Sequence, residues 1–272
     1  MQRSDKPEYD ILAHAADAPI ILVGPPQALQ GELRLHNPGE QKLVLRDARL
    51  HQTPSRAAKA SLPPVPDFSI RRIVLRPGEL RRVPLMIPLS PNTPPGEYRG
   101  QVEVGGHMRE VVMHVTEVVQ LQIAPAQLVI DNQPGATLIK HAVFTNAGNV
   151  PLTMGDIGPV VLDETLLECR TGRAAIAAVG EKITGLDDYI AEVVRQTKAA
   201  LEQTGILRVR VNGSPLSLAP GEVRPVELEI RIPDNLDRRA RYLGVAALYT
   251  SNLEFLLVPT HTARPKRGKS AA

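Results

Sequence analysis

The chain has 272 residues, of which 43% are hydrophobic and 22% charged, with a formal net charge of +3. It is long enough for two domains with sizeable cores. So small a charge is too low for the dense basic surface of a dedicated nucleic-acid binder of this size, and no run approaches the roughly 18 apolar residues of a membrane span.

The single cysteine, Cys169, excludes an intramolecular disulfide and fits a reducing compartment. With 25 prolines, 20 glycines, 3% aromatics and no Trp, the expectation is many short strands around cores of Val, Leu and Ile. Residues 1–17 read as an N-terminal extension. They start polar, and the apolar run that follows is interrupted by His14, Asp17 and Pro19, so no secretory signal is read. The expected localisation is cytoplasmic, with the periplasm or cell envelope as the alternative if translation starts upstream.

From residue 18 onward the chain alternates. Ile20-Ile-Leu-Val23 closes on Gly24-Pro25-Pro26, a first strand and turn. Leu29, Leu33 and Leu35 lead to His36-Asn37-Pro38-Gly39-Glu40, and Leu43 and Leu45 follow; this predicts two antiparallel strands about a tight turn. Asn37 is expected to bond local backbone and Gly39 to take positive φ. Thr53 to Asp67, with Pro63, Pro64 and Pro66, reads as an exposed loop. Pro77-Gly78-Glu79 then opens a strand in which Val83, Leu85, Ile87 and Leu89 alternate, which buries one face. Tyr98-Arg-Gly100-Gln-Val102 and 109–116 complete a first module, 18–120.

The same signals return in the same order. Ala142, Phe144, Asn146, Gly148 and Leu152 repeat Leu33 to Leu43 at an offset of 146 − 37 = 109. Pro220-Gly221-Glu222, with Val226, Leu228, Ile230 and Ile232, repeats the Pro-Gly-Glu strand at 220 − 77 = 143, and Tyr242-Leu-Gly244 repeats Tyr98-Arg-Gly100. A duplicated module of this length matches a β-sandwich domain and is too long for a solenoid repeat. The second module is assigned to 121–262, and the basic tail 263–272 is expected to be disordered.

The two offsets differ by 143 − 109 = 34 residues, which places an insertion in the second module at about 164–205. There the proline-free stretch from Gly185 to Gly205 has Leu186, Ile190, Val193, Val194, Thr197 and Leu201 at helical spacing. Asp187 and Asp188 favour a helix start, and Gly205 is placed to stop the helix. Ala-rich 171–179 predicts a further helical turn.

The Asn-x-Gly turns, the Pro-Gly-Glu starts and Pro94-Pro-Gly-Glu-Tyr-Arg-Gly100 resemble bacterial immunoglobulin-like modules. These include CARDB-type cell-adhesion-related domains and the Ig-like domains attached to bacterial glycosidases. The resemblance covers both modules and implies an all-β protein of two tandem immunoglobulin-like β-sandwiches, the second with a helical insertion. Such modules are usually non-catalytic spacers or binding units.

No residue pattern calls for chemistry. His14, His36, His51, His107, His114, His141 and His261 form no close ligand set, so no metal is expected. Cys169, beside Leu166 and Leu167, reads as a small core residue. Asp187 and Asp188 are adjacent on a helix and therefore diverge, which suits the helix dipole better than acid–base work. No phosphate loop, dinucleotide fingerprint or nucleophile elbow is present, so no cofactor is expected.

The function expected is that of a non-catalytic structural or accessory protein binding another protein. Leu186, Ile190, Val193, Thr197 and Leu201 are the candidate contact stripe, with the 53–67 loop and sheet edges as further surfaces. Nucleic acid is an unlikely partner. The alternatives are a periplasmic pilus-assembly-type chaperone, which also uses two Ig-like domains, and an enzyme with a site between insertion and sandwich.

Overall fold

The structure is a computed structural model that describes residues 19–45, 48–52, 73–104, 107–179, 185–202 and 205–259. The expected extension 1–17, the Pro-rich stretch 53–67 and the tail 263–272 lie outside them. The chain divides into two units. The first is drawn from the chain up to Val119 together with 147–151 and 219–221, and the second from the remainder.

The first unit contains β1 (Ile20–Gly24), β2 (Leu29–His36), β3 (Leu43–Leu45), β4 (Ala48–Gln52), β5 (Ile73–Leu75), β6 (Leu80–Ile87), β7 (Gly96–Val104) and β8 (His107–Val115). The main sheet runs β4-β7-β8-β1-β2-β6. β1 is antiparallel to β2 and parallel to β8, so one short strand joins the two faces. Alternation sends Leu22, Leu33, Leu35, Leu85, Ile87 and Met113 into one core.

The second unit contains β9 (Leu121–Ala124), β10 (Gln127–Asn132), β11 (Thr137–Asn146), β12 (Leu152–Met154), β13 (Val160–Glu164), α1 (Leu167–Val179) and α2 (Leu186–Leu201). After the helices come β14 (Ile206–Val211), β15 (Leu216–Leu218), β16 (Val223–Arg231), β17 (Tyr242–Leu248) and β18 (Ser251–Pro259). One face is β9-β11-β16-β14 and the other β13-β17-β18-β10. This is the four-plus-three partition of a constant-type immunoglobulin sandwich, with its first strand divided between the faces. Val226, Leu228, Ile230 and Ile232 are all buried, with Phe144 and Phe255 at the centre of the core.

The expected hairpin between β2 and β3 is not formed. Each pairs with a different partner, β2 with β6 and β3 with β5. The two are one interrupted strand running against another. From His36↔Leu80 to Leu43↔Leu75 one side advances 43 − 36 = 7 residues and the other 80 − 75 = 5. The second unit repeats the interruption, from Thr145↔Val223 to Leu152↔Leu218, with the same seven against five.

The reason is the asparagine at the break. Asn37 is buried, and its Nδ2 donates to the carbonyls of Gln41 (2.8 Å), Leu75 (3.3 Å) and Arg76 (3.1 Å). Asn146 Nδ2 donates to Leu218 O at 3.0 Å, the equivalent carbonyl. These side chains satisfy backbone acceptors that the broken ladder leaves unpaired. Gly39 and Gly148 are not among the positive-φ glycines, contrary to expectation. Beside this break it is instead the Pro-Gly glycines, Gly78 (φ 68°) and Gly221 (φ 75°), that take positive φ.

A second shared device is a tyrosine at the start of the next-to-last strand. Tyr98 donates its hydroxyl to Pro94 O at 2.8 Å. The Tyr242 hydroxyl accepts from Asp237 N at 2.9 Å. Both are tyrosine corners, which pin the crossing between the two faces.

Candidate functional site

The helical insertion leaves the sandwich at the end of β13 and returns at β14. α1 carries Ala174, Ala175, Ala177 and Ala178 and no proline, so its helix propensity is high. It is a helix of 13 residues, longer than the single turn expected at 171–179. Thr171 and Ala175 are its buried positions.

A fork-to-fork ion pair fixes α1 to the sheet. Arg170 Nε and Nη2 donate to Glu164 Oε1 and Oε2, each at 2.7 Å. The Glu164 side chain is only 8% exposed, and Asp237 lies 3.6 Å from Arg170 Nη1. This hydrogen bonding with Glu164 raises the Arg170 pKa above its usual value. Bidentate geometry of this kind is more specific than a single surface contact. Nothing in the sequence spacing pointed to this clamp, because it depends on β13 ending beside the first turn of α1. Leu162, Leu167 and Tyr242, with the partly covered Leu201 at the end of α2, help line a small cavity of about 70 Å³.

α2 packs along α1. Asp187 and Asp188 occupy its first turn and Lys198 its last, which complements the helix dipole at both ends. Arg195 and Gln196 donate to Glu192, and the hydrogen bonds from Arg195 foremost hold its carboxyl down to about 2.

The five stripe residues fall into two groups. Val193 and Thr197 are half-buried, and Val193 stands one turn from Tyr189, whose hydroxyl lies against Gly172 of α1. Leu186, Ile190 and Leu201 are 70%, 48% and 55% exposed, and Val194 beside them is 60% exposed. The apolar stripe is therefore wider than the strip α1 covers, and α2 has no fully buried residue. Ile176 of α1 is 57% exposed as well.

Two local expectations are corrected. Cys169 is exposed, because the buried face of α1 falls at Thr171 and Ala175 instead. Gly205 does not cap α2, which ends at Leu201. It opens the approach to β14, where a Cβ would come within 2.6 Å of both Leu236 and Pro233.

Among the described residues no three His, Cys, Asp or Glu side chains converge to hold a metal ion. No helix formed by them is long and apolar enough to cross a membrane. What the insertion can do physically is bury its open apolar row against another surface.

No family model matches the chain, and no curated protein matches it. Among solved structures it is similar to a protein of unknown function from Porphyromonas gingivalis W83, at 12% identity over 89% of this chain and 97% of that one, with a TM-score of 0.23. Domains 4 and 5 of the S-layer protein SbsC give 8% identity over 80% and 99%, with a TM-score of 0.26. A chaperone–tip adhesin complex of CFA/I fimbriae gives 9% over 89% and 97%, with a TM-score of 0.24. At such TM-scores these likenesses carry no argument; the immunoglobulin-like assignment rests on strand order and register.

Proposed function

We propose that this is a non-catalytic accessory protein whose sandwiches serve as a frame and whose helical insertion binds another protein. The observation that carries the reading is the open row Leu186, Ile190, Val194 and Leu201 on α2. Ordering a helical hairpin costs conformational entropy. α1 recovers part of that cost through its clamp and buried face, whereas α2 keeps its apolar row in water. Burying such a row against a partner groove is the helix-in-groove mode of recognition. The CARDB-like resemblance of the turn motifs is compatible with this role.

The test is native purification of the full chain beside a Leu186→Glu/Ile190→Glu variant. Wild type should elute with a stoichiometric protein partner. The variant should keep its circular dichroism and elute alone. An unchanged assembly in the variant overturns the reading.

A further inference from the structure

The outer face of the second sandwich carries three exposed arginines on two neighbouring strands. β14 and β16 pair so that Arg208 stands directly opposite Arg231. Like charges facing each other across strands are destabilising. Arg210, two residues along on the same outward face, stands opposite Glu229. Arg81, Arg99, Arg170, Arg195 and Arg224 each have a carboxylate in reach, whereas Arg34, Arg173 and Arg238 on other surfaces have none among the described residues. Among the described residues, no ion pair or hydrogen bond ties down Arg208, Arg210 or Arg231.

These three guanidiniums line one cleft of about 840 Å³ within the second unit. Pro159, Pro233 and Ile206 also line it, and Ile206 is 51% exposed. Asp156 also lines the cleft, but its Oδ1 accepts a hydrogen bond from Val211 N at 3.0 Å, so it serves the end of β14. Asp234 adds a second carboxylate at the rim.

We infer that this cleft binds the carboxylates of an acidic peptide segment that also carries apolar side chains. Paired guanidiniums donate bidentate hydrogen bonds to planar oxyanions, which accept them. An incoming carboxylate would also neutralise the Arg208–Arg231 repulsion, so part of the affinity comes from relieving a strain already built into the sheet. One feature favours a peptide over nucleic acid: the described residues lining the cleft include no aromatic side chain on which a base could stack. Ile206, Pro159 and Pro233 give apolar side chains somewhere to rest between the charges. The surface is separate from the α2 row and stands independently of the function proposed for it.

The experiment uses the full chain and a fluorescent ten-residue peptide of alternating Glu and Leu. Its Gln/Leu counterpart, inorganic phosphate and a thymidine oligonucleotide are the comparison probes. The acidic peptide should bind, and Arg208→Ala/Arg231→Ala should weaken it about tenfold or more. The same variant should unfold at an equal or higher temperature, because a repulsive pair has been removed. Equal binding of the Gln/Leu peptide, or no loss in the double variant, overturns the proposal. Full competition by millimolar phosphate would mean a small-anion site only, and tighter binding of the oligonucleotide a nucleic-acid site; either result also overturns it.

Discussion

The two sandwiches are close copies in their frames and differ in what the frames carry. Asn37 and Asn146 bridge the same break in the same ladder, Glu79–Arg81 and Glu222–Arg224 pair beside the same Pro-Gly turn, and Tyr98 and Tyr242 close the same corner. The helical hairpin and the Arg208–Arg231 cleft belong to the second unit alone among the described residues. The shared Asn and Tyr side chains bond to backbone, whereas the helical hairpin leaves Leu186, Ile190 and Val194 exposed. Selection for folding explains the first set. It does not explain the exposed apolar row of α2 or the facing Arg208 and Arg231.

The largest expected effect tests the shared break. Asn37→Ala leaves the buried Leu75 carbonyl, and the part-buried carbonyls of Gln41 and Arg76, without the Nδ2 donor and should destabilise the first unit by about 1–3 kcal/mol, the cost of an unsatisfied buried group. Asn146→Ala should do the same to the second unit. Urea unfolding of each variant, followed by hydrogen exchange to assign the weakened unit, measures this. If either variant unfolds at the wild-type midpoint, the asparagine does not hold the ladder and the parallel between the units is broken.

The tyrosine corners come next. Tyr98→Phe and Tyr242→Phe should each cost about 1 kcal/mol, with the second larger because Asp237 N is left unpaired. Burial raises the pKa of both phenols above 10.0. A raised folded-state pKa means the native state holds its proton longer than the unfolded chain does. The corners' contribution is therefore complete below the unfolded pKa of about 10 and is lost as pH rises through the folded value. Wild type should thus lose stability above about pH 10 more steeply than the double Phe variant, and parallel pH curves for the two would count against the corners.

Much of this frame was legible in the chain, because it rests on local signals. Val226, Leu228, Ile230 and Ile232 alternate, Pro220-Gly221 must turn, and the paired offsets located the insertion between β13 and β14. What stayed hidden depends on which strands meet. The Asn-x-Gly segment looks like a hairpin turn, yet Asn37 reaches across 38 residues to Leu75. Arg208 and Arg231 become neighbours only through the register of β14 on β16. The helical period identifies the α2 stripe but not its division, since the Ala-rich 171–179 predicts one turn rather than the 13-residue α1 that packs along α2.

That division supplies the smallest and most discriminating contrast. Val193 and Val194 are adjacent and chemically identical, but one is half-buried beside Tyr189 and the other is 60% exposed. Val193→Asp places a charge against α1 and should destabilise the second unit by about 1–2 kcal/mol, because a charge is costly wherever water is partly excluded. Val194→Asp should change stability by less than about 0.5 kcal/mol, as surface substitutions do. Its effect should appear only in association, where a desolvated carboxylate in the middle of an apolar row would release the partner. Thermal unfolding and gel filtration of the two variants side by side read both quantities. Equal destabilisation by the two substitutions would show that α2 is covered on both flanks, and the open row would then no longer support a binding role.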